Sequence, residues 1–322
     1  MTRSLPVTKA DVEHAYDVIR AHVRRTPVVS VAALDLGLDA TLPPVVLKLE
    51  QLQHTGSFKT RGTMNTLLTQ DIPRAGVTAA SGGNHGAALA FAAAYAGVPC
   101  TIFVFDFTPQ AKIDRILSYG AEVRPVEGGF DALMAATEVF AADSGAKSVH
   151  AFDAPPTLAG QGTVALEFLE QAALDTVLVA TGGGGLIGGM AAYAAGQTRI
   201  VSVEPEAAPT LKMALDAGHP CPAPAGGVAA DSLGPGQIGR LMFPIAEAYI
   251  DRAVLVSEAA IHSAWHALWE KMRIVVEPGG AVALAALMSG AYQPEAGERV
   301  GVLVCGANTN VVGFPAPEAS MV

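Results

Sequence analysis

The sequence predicts an α/β fold of two domains, each with a mostly parallel twisted sheet flanked by helices. From about residue 75 onward, short runs rich in Val, Ile and Leu alternate with segments of helical character. Glycine-rich turns follow several of these runs and open the next helix, as expected where helices join parallel strands. A length of 322 residues corresponds to about two domains of ordinary size.

The first half of the chain shows this alternation after an opening helix. Thr8 and Asp11 have the spacing of a capping pair. Apolar residues from Val12 to Val23 recur at helical spacing, and Pro27 ends the pattern. The predicted elements that follow are a strand before Ser81, a helix from Gly86 to Tyr95, the strand TIFVF, a helix after Pro109, the strand AEVRPV and a helix from Asp131.

The second half repeats the pattern. The predicted elements are the strand TVLVAT, a glycine run at residues 182–185, the helix GGMAAYAAG, the strands RIVSVEP and RAVLVSE, a helix over residues 258–272 and the strand RVGVLVCG. Ligand sites in such folds lie at the carboxyl ends of parallel strands. The turns that follow these strands are therefore the candidate functional segments.

Composition argues against several classes of protein. Hydrophobic residues make up 51% of the chain, yet no apolar run approaches the roughly 20 residues of a membrane span. Thirty acidic and twenty basic residues give a net charge of −10 without a Lys/Arg stripe, which argues against nucleic acid as a partner. Cys100, Cys221 and Cys305 suggest neither disulfides nor a zinc site, and the N-terminus lacks a targeting pattern. We expect a cytoplasmic protein.

A lysine lies at the centre of the segment GSFKTRG, residues 56–62, between an aromatic residue and small hydroxyl residues. Most lysines are solvated surface groups, and the segment alone favours that interpretation of Lys59. A lysine that forms an imine must instead be partly desolvated, so that its amine can be neutral. This motif by itself leaves both interpretations open.

Two glycine-rich segments are candidate anion-binding turns. Ser81–Gly86 follows a predicted strand and opens a helix whose free N–H groups suit an anion, although an ordinary tight turn explains it equally well. Gly182–Gly185 has the same position after TVLVAT, and four residues without side chains let the backbone wrap a phosphate closely.

The second of these segments has a rival interpretation. Gly183, Gly185 and Gly188 match the dinucleotide pattern G-x-G-x-x-G. Glu204 ends the next strand roughly 20 residues further on, as a dinucleotide site requires. A nicotinamide-dependent dehydrogenase is therefore an alternative function from another class.

A fourth segment, CGANTN at residues 305–310, follows the last predicted strand, and on its own Cys305 is an ordinary core cysteine. Taken together and in this order, SFKTRG, SGGNHG, GGGG and CGANTN resemble the threonine/serine dehydratase branch of the fold-type II, tryptophan synthase β-like enzymes, which use pyridoxal 5′-phosphate (PLP). The resemblance covers nearly the whole chain. It implies a homodimer whose subunit has a large PLP-binding domain, residues 1–53 and 153–322, and a small domain, residues 54–152.

The resemblance implies a role for each motif. The implied cofactor contacts are Phe58 against the ring, Lys59 as the imine lysine, Asn84 at the ring hydroxyl, Gly182, Gly183, Gly184 and Gly185 at the phosphate, and Cys305 facing the pyridine nitrogen. The implied contacts to the substrate carboxylate are Ser81, Gly82, Asn84 and His85. The family often binds a structural cation, for which Glu204 is the matching residue, although Thr210 stands where racemases have an acid.

The implied reaction is β-elimination from a small hydroxy amino acid, L-threonine or L-serine, to a 2-oxo acid and ammonia. Lys59 would take the α-proton as general base while the cofactor is the electron sink. The thiol of Cys305 cannot firmly hold the pyridine nitrogen protonated, which favours elimination over transamination. Serine racemases carry a serine where this chain has Gly82, and a glycine has no proton to give, so racemisation is a weaker alternative.

Other activities of the same fold stay open: dehydration of 3-hydroxyaspartate or phenylserine, β-replacement as in cysteine synthases, and PLP binding without turnover. We expect residues 151–158 and 231–236 to line the pocket of the β-carbon. Neither stretch contains Arg or Lys, so a substrate with a distal carboxylate ranks below the neutral ones.

Overall fold

The computed structural model describes residues 5–309. Asn310, the last residue of the CGANTN motif, lies outside this range. The helices of the described range are α1 (Lys9–Ile19), α2 (Lys59–Thr69), α3 (Asn84–Ala96), α4 (Gln110–Leu117), α5 (Phe130–Ser144), α6 (Pro155–Gln171), α7 (Gly185–Ala194), α8 (Thr210–Ala217), α9 (Ala230–Leu233), α10 (Phe243–Tyr249), α11 (Glu258–Met272) and α12 (Pro278–Met288). The strands are β1 (Val28–Val31), β2 (Val45–Leu49), β3 (Val77–Ala80), β4 (Cys100–Phe105), β5 (Glu122–Val126), β6 (Lys147–Ser148), β7 (Thr176–Ala180), β8 (Arg199–Pro205), β9 (Ile250–Val256) and β10 (Val300–Val304).

The strands form two sheets. The larger has the order β1-β2-β10-β7-β8-β9 and is parallel except for the antiparallel pair of β1 and β2. The smaller has the order β5-β4-β3-β6 and is parallel throughout. The predicted α/β fold with two mostly parallel sheets is confirmed. The arrangement is compatible with the predicted domain boundaries, which stay a prediction.

The core of the larger sheet explains its apolar sequence. β7 and β10 are buried along their whole length, as the continuous runs TVLVA and VGVLV require. α12 is apolar around almost its whole circumference and packs against β7, β8 and β10. Among residues 5–309, no helix combines the length and the apolar character needed to cross the hydrocarbon layer of a membrane.

Several predicted helix boundaries differ from the structure, and α7, for example, begins at Gly185 rather than at Gly188. α3 begins at Asn84 rather than at Gly86, so that His85 also lies in its first turn. α1 ends at Ile19, although the apolar spacing continues to Val23. Val23 is buried from the turn that follows the helix, so the spacing predicted its burial but not the helix end.

The segment that carries Lys59 is tied to the end of β10. Ser57 forms an isolated antiparallel bridge with Gly306. The N–H of Phe58 donates to the carbonyl oxygen of Cys305 at 3.2 Å. Because α2 begins at Lys59, these backbone contacts place the first turn of α2 beside Cys305.

A buried ion network joins α2 to β2 and α6; it consists of Lys48, Glu50, Arg61 and Glu167. The Nη2 atom of Arg61 lies 2.8 Å from a carboxylate oxygen of Glu50 and of Glu167, and Lys48 lies 2.9 Å from Glu167. All four side chains are buried, so two acids are balanced by two bases away from water. Burial alone would lower the pKa of Arg61, but the charges and hydrogen bonds of Glu50 and Glu167 raise it overall.

We expect Glu167→Gln to destabilise the protein by about 3–5 kcal/mol, because it removes the shared partner of two buried cations. Glu170→Gln is the matched control on the same helix, since Glu170 pairs with Arg25 in a half-exposed ion pair. Its cost should stay below about 1 kcal/mol. Urea unfolding measures both free energies, and equal losses would contradict the role assigned to the ion network.

Candidate active site

Lys59 is the first residue of α2, and its side chain is half-buried. The amine donates a hydrogen bond to the carbonyl oxygen of Ala151 at 2.8 Å and lies 5.2 Å from the centre of the Phe58 ring. Removal from water lowers the pKa of Lys59 to about 8, while the charge of Glu277 acts in the opposite direction. The amine is therefore desolvated, unlike the solvated lysine that the motif alone favours.

The segment predicted to bind a substrate carboxylate lies between β3 and α3. Ser81 and Gly82 precede the helix and Asn84 is its first residue, so the unpaired N–H groups of the first turn face this segment. His85 is buried, and its Nε2 pairs with the carbonyl oxygen of Val149 at 2.8 Å. Burial lowers the pKa of His85 to about 3, so its imidazole is neutral.

Gly82 is closely packed against its neighbour Thr108. A Cβ atom added to Gly82 would lie 2.8 Å from Cγ2 of Thr108. The side chain of Thr108 would have to rotate before a serine could be accommodated at this position. The packing around Gly82 thus suits a residue without a side chain.

The glycine run connects β7 to α7 and is buried. Gly184 has a φ of +83°, a left-handed conformation that glycine adopts without strain. A Cβ atom added to Gly183 would lie 2.5 Å from the ring of Phe152, so the close approach of this ring requires glycine. The first-turn N–H groups of α7 have no carbonyl partner within the helix, which is the arrangement that binds phosphates.

Cys305 directly follows β10 and is buried. Its thiol donates to the carbonyl oxygen of Gly279 across 3.5 Å. Burial raises the pKa of this thiol, so that it stays neutral. The site therefore offers a neutral sulfur at the position that the resemblance assigns to the pyridine nitrogen.

Glu277, the residue before α12, is a further member of the site that the motifs did not indicate. Its Oε1 accepts a hydrogen bond from Nδ2 of Asn84 at 2.7 Å, and its side chain is buried. Burial raises the pKa of Glu277 to about 7. The sequence contains one signal for Glu277, which is the single acid within the apolar run IVVEPGGAVALAA. An acid buried with such a run requires a partner, so its position indicates a specific polar contact.

Several polar atoms around Lys59 are buried without a hydrogen-bond partner in the described part of the chain. They are Oγ of Ser57, Oδ1 of Asn84, Nδ1 of His85 and Oε1 of Gln161. Gln161 is close to Lys59, because its Nε2 donates to the same carbonyl oxygen of Ala151, at 3.4 Å. Proteins leave few buried polar atoms unsatisfied, so this cluster fits a ligand rich in polar groups, such as PLP with an amino acid.

Glu204, near the end of β8, binds the N-terminus of α8. Its carboxylate accepts hydrogen bonds from the N–H groups of Leu211 at 2.7 Å and Lys212 at 2.8 Å, and from the hydroxyl of Thr210 at 3.0 Å. Both oxygens are therefore engaged, which argues against binding of a ribose by Glu204. Within residues 5–309, no group of three or more His, Cys, Asp and Glu side chains is arranged to hold a metal ion, and the cation at Glu204 stays a prediction.

Several known proteins have sequences similar to that of this chain. The family model described as pyridoxal-phosphate dependent enzyme matches residues 19–306. The L-threonine ammonia-lyase of Geobacter sulfurreducens is 38% identical over 93% of this chain and 75% of its own length. The phenylserine dehydratase of Ralstonia pickettii is 36% identical over 84% of each protein. The beta-hydroxyaspartate dehydratase of Paracoccus denitrificans is 33% identical over 96% of this chain and 98% of its own length.

Solved structures show the same architecture. The T.th. threonine deaminase superposes with a TM-score of 0.87 at 34% identity, covering 94% of this chain and 99% of the other. Serine racemase from Dictyostelium discoideum superposes with a TM-score of 0.86 at 31% identity, covering 95% and 100%. These likenesses confirm the predicted fold type and the resemblance to the threonine dehydratase branch of the family.

We expect Gly184→Ala to weaken PLP binding by at least about tenfold, because the added Cβ atom would lie 2.7 Å from Ile238. Gly97→Ala is the matched control, since Gly97 is also left-handed, with a φ of +68°, but an added Cβ atom would meet nothing within 4 Å. Both changes carry a backbone cost of about 1–2 kcal/mol. Absorbance titration of apo-protein with PLP gives the two affinities. Equal affinities would contradict the role of the glycine run, residues 182–185, in binding the phosphate.

Proposed function

The chain belongs to the pyridoxal-phosphate dependent enzyme family, in its threonine dehydratase-like branch, and from this premise we propose that it dehydrates and deaminates L-threonine and/or L-serine. The products are a 2-oxo acid and ammonia. The observation that carries the proposal is the desolvated amine of Lys59, held by the carbonyl oxygen of Ala151 among buried polar atoms that lack partners.

The residues present fit PLP as the cofactor. When bound, PLP withdraws electrons from the α-carbon of an amino acid, and the protein supplies binding and orientation. We assign Lys59 as the lysine that carries it, and Phe58, Asn84 and Cys305 as the neighbours of its ring. The first turn of α7, with residues Gly182–Gly185, would hold its phosphate through backbone N–H groups.

Lys59 is suited to move the α-proton. A pKa of about 8 leaves a useful fraction of the amine neutral near pH 7, whereas an ordinary lysine is almost entirely protonated there. The carbonyl oxygen of Ala151 accepts a hydrogen bond from the amine and so fixes its direction. Loss of the α-proton and the β-hydroxyl removes one molecule of water and gives an enamino acid. Once released, its imine form takes up one molecule of water and yields the 2-oxo acid and ammonia.

The segment from Ser81 to His85 would bind the substrate carboxylate. The first-turn N–H groups of α3 stabilise a negative charge, and they do so without a basic side chain. His85 supports this geometry as a neutral group, because Val149 holds its Nε2 while burial keeps the ring uncharged.

Two features favour elimination over the racemase and transaminase alternatives. Gly82 itself has no side chain that could donate a proton, and the nearest hydroxyl there belongs to Thr108, whose Oγ1 would lie 3.0 Å from an added Cβ atom. The neutral thiol of Cys305 does not hold the pyridine nitrogen protonated as a carboxylate would. β-Replacement and PLP binding without turnover are distinguished by the products measured below.

The surroundings of the β-carbon favour a neutral substrate. Phe152 and Leu233 come from the two predicted pocket stretches, and both pack against the glycine run. A basic residue does arrive from elsewhere, because Lys112 of α4 lies beside Asp231. These two residues form an ion pair, so the charge of Lys112 is already matched. We therefore expect threonine, serine and phenylserine to be better substrates than 3-hydroxyaspartate. The names of the relatives include both types, neutral substrates and beta-hydroxyaspartate.

Further features of the proposal rest on the family. We expect a cytoplasmic homodimer with the large and small domains stated above. A structural cation at Glu204 would have to displace the first turn of α8 from the carboxylate. No step of the proposed reaction depends on this cation.

The decisive measurement is 2-oxo acid formation from threonine, serine, phenylserine and 3-hydroxyaspartate, each as separate stereoisomers. We expect the L-forms of threonine or serine to react fastest. Lys59→Ala should lose the yellow imine band and lower the rate by at least about 100-fold, because both attachment and proton transfer need this amine. Lys271→Ala, an exposed lysine of α11, is the matched control. A thioether product in the presence of thiol, or turnover that survives Lys59→Ala, would overturn the proposal.

The pH dependence of cofactor attachment reports the pKa of Lys59. The neutral amine attacks the aldehyde, so the rate of imine formation by apo-protein should rise about tenfold per pH unit below pH 8 and level off above it. N-acetyl-lysine is the control, and its rate should keep rising to about pH 10. Stopped-flow absorbance measures both rates. A protein profile that follows the free amine would show that Lys59 is not desolvated.

A further inference from the structure

Asn84 and Glu277 form a hydrogen bond between the two halves of the site. Asn84 begins α3, which connects β3 and β4 of the smaller sheet, and Glu277 precedes α12, which packs on the larger sheet. The Nδ2–Oε1 distance is 2.7 Å. Glu277 is anchored by its backbone as well, since its N–H donates to the carbonyl oxygen of Gly306 at 3.1 Å.

Gly306 shows how closely the carboxylate is enclosed. A Cβ atom added to Gly306 would lie 2.2 Å from Oε1 of Glu277. The residue after Cys305 must therefore lack a side chain for Glu277 to reach Asn84. The position of Glu277 is thus set by the same strand end that carries Cys305.

The contact fixes the orientation of an amide that is nearly symmetric in shape. An asparagine side chain presents NH₂ on one side and a carbonyl oxygen on the other, and a half-turn exchanges them. An ionised carboxylate accepts hydrogen bonds but cannot donate them, so only the NH₂ side of Asn84 can face Glu277. The second N–H of Asn84 and its Oδ1 atom, which is buried without a partner in the described residues, are then directed elsewhere in the site.

We propose that Glu277 is a positioning residue for the cofactor: by holding one N–H of Asn84 it fixes the other as a donor to the ring hydroxyl. This inference rests on the proposed PLP site, in which Asn84 contacts that hydroxyl. Glu277 acts through Asn84 and does not itself touch the reacting atoms. A glutamine at the same place could donate or accept, and it would leave both orientations of the Asn84 amide available.

The charged surroundings decide in which state Glu277 works. Three charged groups act electrostatically on Glu277, namely Asp231, Lys112 and Arg115. Glu277 in turn acts on two titratable groups of the site, Lys59 and Cys305. Burial raises the pKa of Glu277 to about 7, while its hydrogen bond to Asn84 and the cations Lys112 and Arg115 favour the ionised form. The carboxylate is therefore the dominant form above neutral pH, and the orientation of Asn84 is fixed there.

The test uses the PLP-loaded protein without substrate and follows the pH titration of its imine absorption band. Glu277→Gln removes a negative charge, which disfavours the protonated imine. It also removes a fixed donor to the ring oxygen, which favours the protonated imine, because that donor stabilises the ring oxygen most strongly once the imine has lost its proton. Because the two effects have opposite signs, the readout is the difference between the midpoint shifts that Glu277→Gln causes in two backgrounds, with and without the amide of Asn84. Glu298→Gln is the matched control, because Glu298 is another buried glutamate that accepts hydrogen bonds, from Thr176 and Tyr292, outside this site. Its midpoint should equal that of the wild type.

A double-mutant cycle separates this role from a general structural one. In an Asn84→Ala background the donor is already absent, so Glu277→Gln should lower the midpoint through the lost charge alone. In the wild-type background the loss of the donor opposes this fall, so the shift should be more positive by about half a pH unit or more. Equal shifts in both backgrounds, or a shifted midpoint in Glu298→Gln, would each overturn the inference. Glu277→Asp keeps the charge with a shorter reach, so its midpoint should lie above that of the wild type even if the glutamine variant folds poorly.

The outcome is independent of turnover. Shifts that differ between the two backgrounds, in a protein that forms no 2-oxo acid, would support the role of Glu277 and overturn the proposed reaction. Equal shifts in a protein that does form 2-oxo acid would have the opposite meaning.

Discussion

The attachment of α2 by Arg61 is the constraint on which the site depends. Successive residues of an α-helix are rotated by about 100°, so Arg61 and Lys59 point to nearly opposite sides of α2. Arg61 is held by Glu50 and Glu167 from two different elements, which fixes the rotation of the helix as well as its place. With one side of α2 anchored in this way, Lys59 on the other side can reach only the space beside Ala151 and Cys305.

Burial has the same physical effect on four groups of the site, with different results for each. It favours the neutral form, and so lowers the pKa values of Lys59 and His85 and raises those of Glu277 and Cys305. The amine and the carboxylate end close to neutral pH, where both can change charge. The imidazole and the thiol end far from it and serve as fixed neutral groups.

Sequence patterns were sufficient for the fold, and they indicated segments that lie near Lys59 in the structure. Continuous apolar runs indicated the buried parallel strands, and the turns after β3, β7 and β10 contain the segments that the structure brings around Lys59. Contacts between distant segments were not predictable. The bond from Asn84 to Glu277 joins residues far apart in the chain, and the engagement of Glu204 by α8 depends on how that helix is placed. A glutamate in an apolar run indicates that a partner exists, but the run does not say which residue it is.

The strand order has a consequence for how the chain acquires its structure. β10 lies between β2 and β7, so the hairpin of β1 and β2 has no neighbour in the larger sheet until the last strand has been synthesised. The smaller sheet is encoded by one continuous stretch and can form earlier during translation. Such long-range pairing closes large loops and slows folding. The exposed edge of β2 is then a temporary surface for aggregation or for chaperone binding, and it disappears in the same event that brings Cys305 to the site.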